Sequence, residues 1–70
     1  MTISEIKIGQ KFAAFYGDGS PMGVITITRF TKAFVCVTLT NNRQHTFAEH
    51  KEGNTNVAQY LATGRWIPAV

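Results

Sequence analysis

Two stretches of the chain alternate apolar and polar residues with the two-residue period of a half-buried strand. The clearest is Val24–Phe30, where Ile25 and Ile27 fall on one face and Thr26 and Thr28 on the other. Residues 33–40 repeat the pattern, with Val35, Val37 and Leu39 against Phe34, Cys36, Thr38 and Thr40. A slip of one residue would carry a whole apolar row to solvent, so the two strands fix each other's register. Matching Ile25 and Ile27 to Val37 and Leu39 predicts a hairpin loop Thr31-Lys32-Ala33, with Phe30 opposite Phe34.

Other elements follow from weaker patterns. Residues 11–16 are rich in aromatics and bounded by Gly9 and Gly17, which predicts a first strand apolar on both faces. Gly17-Asp18-Gly19-Ser20-Pro21-Met22-Gly23 is dense in turn formers and reads as a mobile loop. Thr2-Ile3-Ser4-Glu5 has capping-box spacing for one helical turn, whereas Ile6 and Ile8 alternate as in a short strand, and both readings stand. Downstream, Asn41-Asn42-Arg43 forms a turn, because Asn tolerates positive φ, and residues 44–48 form a shorter fourth strand that sets Phe47 on the core face opposite Val37. Residues 49–54 read as a polar loop. Val57, Tyr60 and Leu61 at i, i+3 and i+4, with Asn or Thr before them and Gly64 after, predict a helix of about two turns. Residues 65–67 then return as a fifth strand closed by Pro68, which belongs at an edge or an end.

Size limits what these elements can do. The 70 residues, 44% hydrophobic, form one domain over 1–70, and a chain this short commits nearly every large apolar side chain to its core. A large enzyme is excluded. Cys36, the single cysteine, cannot pair within the chain, which fits a reducing cytoplasm. No opening signal segment and no apolar run long enough to span a bilayer is visible, so no membrane role is expected.

Candidate chemistry is thin. Cys36 lies mid-strand among valines, where packing is the usual role, and no oriented base accompanies it. Along an extended strand His45 and Glu49 would share a face while His50 points away, and no further ligand group completes a metal site. Glu49 and Glu52 show none of the burial that would tune a carboxylate pair. The Gly17-Asp18-Gly19 segment matches no phosphate-loop spacing and precedes a strand rather than a helix. No catalytic residue, cofactor or metal is expected.

Five short strands with one short helix before the last resemble the SH3-like small β-barrel, a mainly β fold. The opening Lys7-Ile8-Gly9-Gln10-Lys11-Phe12 and the ending Tyr60-Leu61-Ala62-Thr63-Gly64-Arg65-Trp66 resemble small orphan barrel proteins often found in phages. That resemblance implies a binding module, in the form of an inhibitor of a host enzyme or defence complex. Proline-peptide-binding SH3 domains match poorly, because their ALYDY-like segment and the tryptophan opening the third strand have no counterpart.

Two partner classes remain. A net charge of +3 favours polyanions, and Arg29, Lys32 and Arg43 near strand ends could meet phosphates, although the cations form no run. A protein partner accounts for more: a domain this small cannot cover both faces of its sheet, so some of Phe12, Phe15, Tyr16, Phe30, Phe34 and Trp66 stay exposed as interface anchors. The expected contacts are Asp18 in the Gly17–Gly23 loop, Arg29, Phe30, Lys32 and Phe34 at the second hairpin, and Arg43 on the neighbouring turn. A free sheet edge also permits a homodimer.

Overall fold

In the computed structural model, which describes residues 2–69, the alternating stretch begins earlier than the periodicity suggests: β2 spans Pro21–Phe30 and absorbs the end of the predicted loop. It lies between β1 (Lys11–Phe15) and β3 (Phe34–Thr40). The outer strands are β4 (His50–Gly53), paired to β3, and β5 (Trp66–Ala69), paired to β1. The result is one antiparallel five-stranded sheet in the order β4-β3-β2-β1-β5, with β4 and β5 as unpaired edges, so the sheet is not closed.

The register expected from the apolar rows is present through the middle of the hairpin, where Ile25 opposes Leu39 and Ile27 opposes Val37. It then shifts at Thr28, so that Arg29 opposes Cys36 and Phe30 opposes Val35 instead of Phe34. A bulge of this kind takes up one extra residue and bends the strand. Phe34 instead opposes Gly53 across the β3–β4 pair.

The fourth strand lies later in the chain than the pattern predicts. Thr46-Phe47-Ala48, the more strand-like residues, meet β3 through a single Thr40–Thr46 bridge, whose two hydroxyls lie 2.9 Å apart, and through the Phe47 N–H, which donates to the Leu39 carbonyl at 2.8 Å. Phe47 is 46% exposed rather than buried. Val37 faces His50 instead, and His-Lys-Glu-Gly forms the edge strand. Charged side chains suit an edge because they discourage pairing with another chain.

One face of the sheet builds the core. Phe12, Ala14, Ile25, Ile27, Val35 and Val37 are buried there with Ile6, Val57 and Trp66. The helix α1 (Asn54–Thr63) packs across this face, and Val57, fully buried, is its anchor. Gly64 ends the helix at φ 80°, a left-handed cap that glycine adopts without penalty. The N-terminal ambiguity resolves as one 3₁₀ turn over Ile3–Glu5, whose Glu5 carboxylate accepts the Thr2 N–H at 3.1 Å; Ile6 enters the core and Ile8 does not. Of the aromatics expected to share the surface, Phe12 and Trp66 are buried, Phe15 and Phe34 half-buried, and Tyr16 and Phe30 exposed.

Candidate functional site

Four of the six expected contact residues gather at the β2–β3 turn, and the turn is held from two sides. Within it, the Thr31 N–H donates to the Phe34 carbonyl at 2.8 Å, and the Thr31 hydroxyl accepts the N–H groups of Ala33 and Phe34 at 3.2 and 3.3 Å. From outside, Asn54 at the start of α1 donates its Nδ2 to the Lys32 carbonyl at 2.8 Å and its backbone N–H to that of Ala33 at 3.2 Å. Lys32 is exposed on this clamped turn.

Phe30 and Phe34 take different environments because the bulge and the turn intervene. Phe30, 45% exposed, walls a groove of about 250 Å³ whose apolar lining comes from Ile3, Ile6 and Val35, with Ser4, Thr31 and Asn54 at its polar margin. Phe34 is half-buried, and the Lys51 ammonium stands 4.7 Å from its ring centre, a cation–π distance. Arg29 lies beside Cys36 in register, its Nη2 3.4 Å from one Glu49 oxygen. The Thr28 hydroxyl is 2.5 Å from the other Glu49 oxygen and 3.0 Å from the Cys36 carbonyl oxygen. Hydrogen bonding with Cys36, and then the Glu49 charge, raise the Arg29 pKa above its ordinary value. Cys36 points away from the core yet is fully buried, flanked by Arg29 on one neighbouring strand and Lys51 on the other.

Asp18 and Arg43 do not join this cluster. Successive turns of an antiparallel sheet fall at alternate ends, and β2, ten residues long, separates its two turns by roughly 30 Å at the rise of a strand. The turn after β3 lies at the Asp18 end, against Gly23. Asp18 is occupied locally: its carboxylate accepts the Ser20 hydroxyl at 2.6 Å and the Ser20 N–H at 2.9 Å, and these bonds lower its pKa. Arg43 is exposed on a turn organised by Asn41, whose Oδ1 accepts the N–H groups of Arg43 and His45 at 2.9 and 3.1 Å.

The three residues considered for a metal diverge. His45 packs edge-on against Phe47 at 4.6 Å between ring centres, Glu49 turns to Thr28 and Arg29, and His50 meets Glu52 at 3.1 Å. All four Asp and Glu side chains are engaged by neighbours, Glu5 by Thr2 and Asp18 by Ser20 in addition to these. Among the described residues no helix is long and apolar enough to cross a membrane.

No family model, curated protein or solved structure matches this chain. What it can bind is set by its own surfaces.

One such surface carries residues that the sequence pattern did not single out together. Phe15, Met22, Ile25, Leu39, His50, Glu52, Tyr60, Arg65 and Trp66 line a cavity of about 70 Å³ beside α1. The Tyr60 and Trp66 rings lie 5.2 Å apart, and the Arg65 guanidinium sits 4.9 Å from the Tyr60 ring centre, with its Nε 3.4 Å from the Phe15 carbonyl oxygen. His50 and Glu52 enter because they oppose Val37 and Val35. Their two-residue spacing was the available signal, masked by the polar composition of the segment.

Proposed function

We propose that the chain is a non-catalytic module that docks on a protein partner through the β2–β3 turn, with Phe30 and Phe34 as apolar anchors and Arg29 and Lys32 as the polar rim. Phe30 carries this reading. A large aromatic left 45% exposed on a turn clamped by its own hydrogen bonds and by Asn54 is presented in fixed geometry, so binding it loses little conformational entropy. Asp18 and Arg43, at the far end of β2, fall outside the docking surface. Strand order and the helix before β5 support an SH3-like small barrel left open between β4 and β5. The resemblance to phage orphan barrels makes an inhibited host enzyme or defence complex the natural partner.

The test is partner capture from the native cell by the F30A/F34A double variant, with folding verified by amide NMR dispersion. Capture is expected to fall at least tenfold, on the scale of two anchor truncations. Undiminished capture by a folded variant overturns the proposal.

Nucleic-acid contact is supported by one specific observation: each Asp and Glu side-chain carboxylate is tied to a neighbour, while Lys7, Lys32 and Arg43 have no ion-pair partner among the described residues. Lys32 and Arg43 nevertheless lie at opposite ends of the sheet, which gives no continuous stripe for a phosphate backbone. Salt separates the readings. Docking through Phe30 should change little between low and physiological salt, whereas phosphate contacts would lose affinity steeply.

A further inference from the structure

The face of the sheet turned away from the core carries an uncharged row that runs across four strands. Ile67 opposes Ala13, Ala13 opposes Val24, and Val24 opposes Thr40. Their chain neighbours Trp66, Ala14 and Ile25 are buried in the core, so alternation sends the row to the opposite face. There Ile67 is 47% and Val24 37% exposed, with half-buried Ala13 between them, which makes an apolar stripe open to solvent. Two other rows of this face are charged: Ala69, Lys11, Thr26 and Thr38 hold one cation, and Arg29, Cys36 and Lys51 hold two.

Charge decides what the uncharged row fits. Phosphates need cations and a charged protein surface needs an opposite charge, and the row offers neither. It is suited to itself. In a two-fold interface a patch meets its own copy, and with the axis along this row each residue lies against its counterpart: Ile67 on Ile67, Ala13 on Ala13 and Val24 on Val24. These side chains all tolerate their own kind, and Thr40 at the end of the row has a hydroxyl that both donates and accepts. Lys11, two residues along β1 from Ala13, lies about 7 Å off that axis at the rise of a strand. The two copies of Lys11 then fall roughly 13 Å apart, beyond the ~8 Å screening length at physiological ionic strength. Each Lys11 Nζ is also held in its own row, donating to the Thr26 hydroxyl at 3.3 Å.

We propose that two copies of the chain associate through this face, outer sheet against outer sheet, on a two-fold axis along the Ile67–Ala13–Val24–Thr40 row. The row contains none of the docking residues. A stripe of four side chains falls short of the roughly 800 Å² per partner of a stable complex, so the dimer is weak, with a dissociation constant on the order of 100 μM.

Sedimentation equilibrium from micromolar to millimolar protein tests this. The chain is expected to pass reversibly from monomer to dimer; a monomer at millimolar concentration overturns the proposal. Position 24 tests the axis, because it is required to meet itself. Val24→Glu alone and Val24→Lys alone should each weaken dimerisation at least tenfold, with folding verified by amide NMR dispersion, and an equimolar mixture of the two should restore it by pairing opposite charges. Should either variant fail to fold, Ile67→Glu and Ile67→Lys supply the same pair at a more exposed position of the row. Dimers that persist in the single variants, or a mixture that stays monomeric, would overturn the assignment to this face. So would loss of native-partner capture by folded Val24→Glu where the unaltered chain is monomeric, since the stripe would then belong to another protein.

Discussion

At Gly23 the backbone φ is +146°, and a Cβ there would run into the Thr40 carbonyl oxygen and lie 2.9 Å from the Cα of Asn41. Both the strain and the clash are backbone effects that no side-chain rotation relieves, so Gly23→Ala should destabilise the protein by about 2 kcal/mol or more. Gly17, with nothing within 4 Å of its added Cβ, is the control: its alanine variant should stay within roughly 0.5 kcal/mol. Denaturant unfolding of the two variants checks the contrast. Asp18 offers a second test. Hydrogen bonds from the Ser20 hydroxyl and N–H hold its carboxyl below the usual 3.8. Because the folded value is the lower one, the turn's contribution is fully present above 3.8 and is lost as pH falls through that depressed value. An NMR titration should place the Asp18 midpoint below 3.8, with the Ser20 amide following it; a midpoint at or above 3.8 would contradict the bonded turn.

Elements differ in how plainly their residues announce them. The β2–β3 pairing could be read because one face of each strand is buried, and burial writes its period into Ile25, Ile27, Val35, Val37 and Leu39. Helix α1 could be read for the same reason, from Val57 and its neighbours and the Gly64 stop. Edge strand β4 could not, because an edge needs hydrogen-bonding backbone more than apolar side chains, and His-Lys-Glu-Gly supplies only that. The bulge at Thr28 was equally hidden, and with it the separate placement of Phe30 and Phe34. Four of the candidate contact residues lie together as the hairpin pattern implied; Arg43 does not, because adjacent turns in an antiparallel sheet point to opposite ends. Coupling between elements is testable at Asn54, which joins α1 to the β2–β3 turn through the Lys32 carbonyl. Asn54→Ala should cost about 1–2 kcal/mol, with faster hydrogen exchange at Thr31 and Phe34 than at Ile25. Unchanged exchange at the turn would show that the Asn54 clamp does not restrain it.

As a whole the molecule measures 32 × 24 × 21 Å and presents distinct surface features at distinct places. The core occupies one face of the sheet, the clamped aromatic turn lies at one end of β2, and the small cavity lined by Tyr60, Arg65 and Trp66 lies beside α1. Such a chain has little interior to spare, so an aromatic kept outside the core and fixed in place is an expensive feature for folding alone. Docking through that turn is the central claim, and site-specific photocrosslinking in the native cell tests it most directly. A photoreactive phenylalanine analogue would be placed at position 30 and, as the control, at Ile8, which is 67% exposed away from the core. A discrete protein adduct formed from position 30, resistant to nuclease and absent from position 8, is the expected result. An adduct that nuclease removes, or equal crosslinking from both positions, would contradict it.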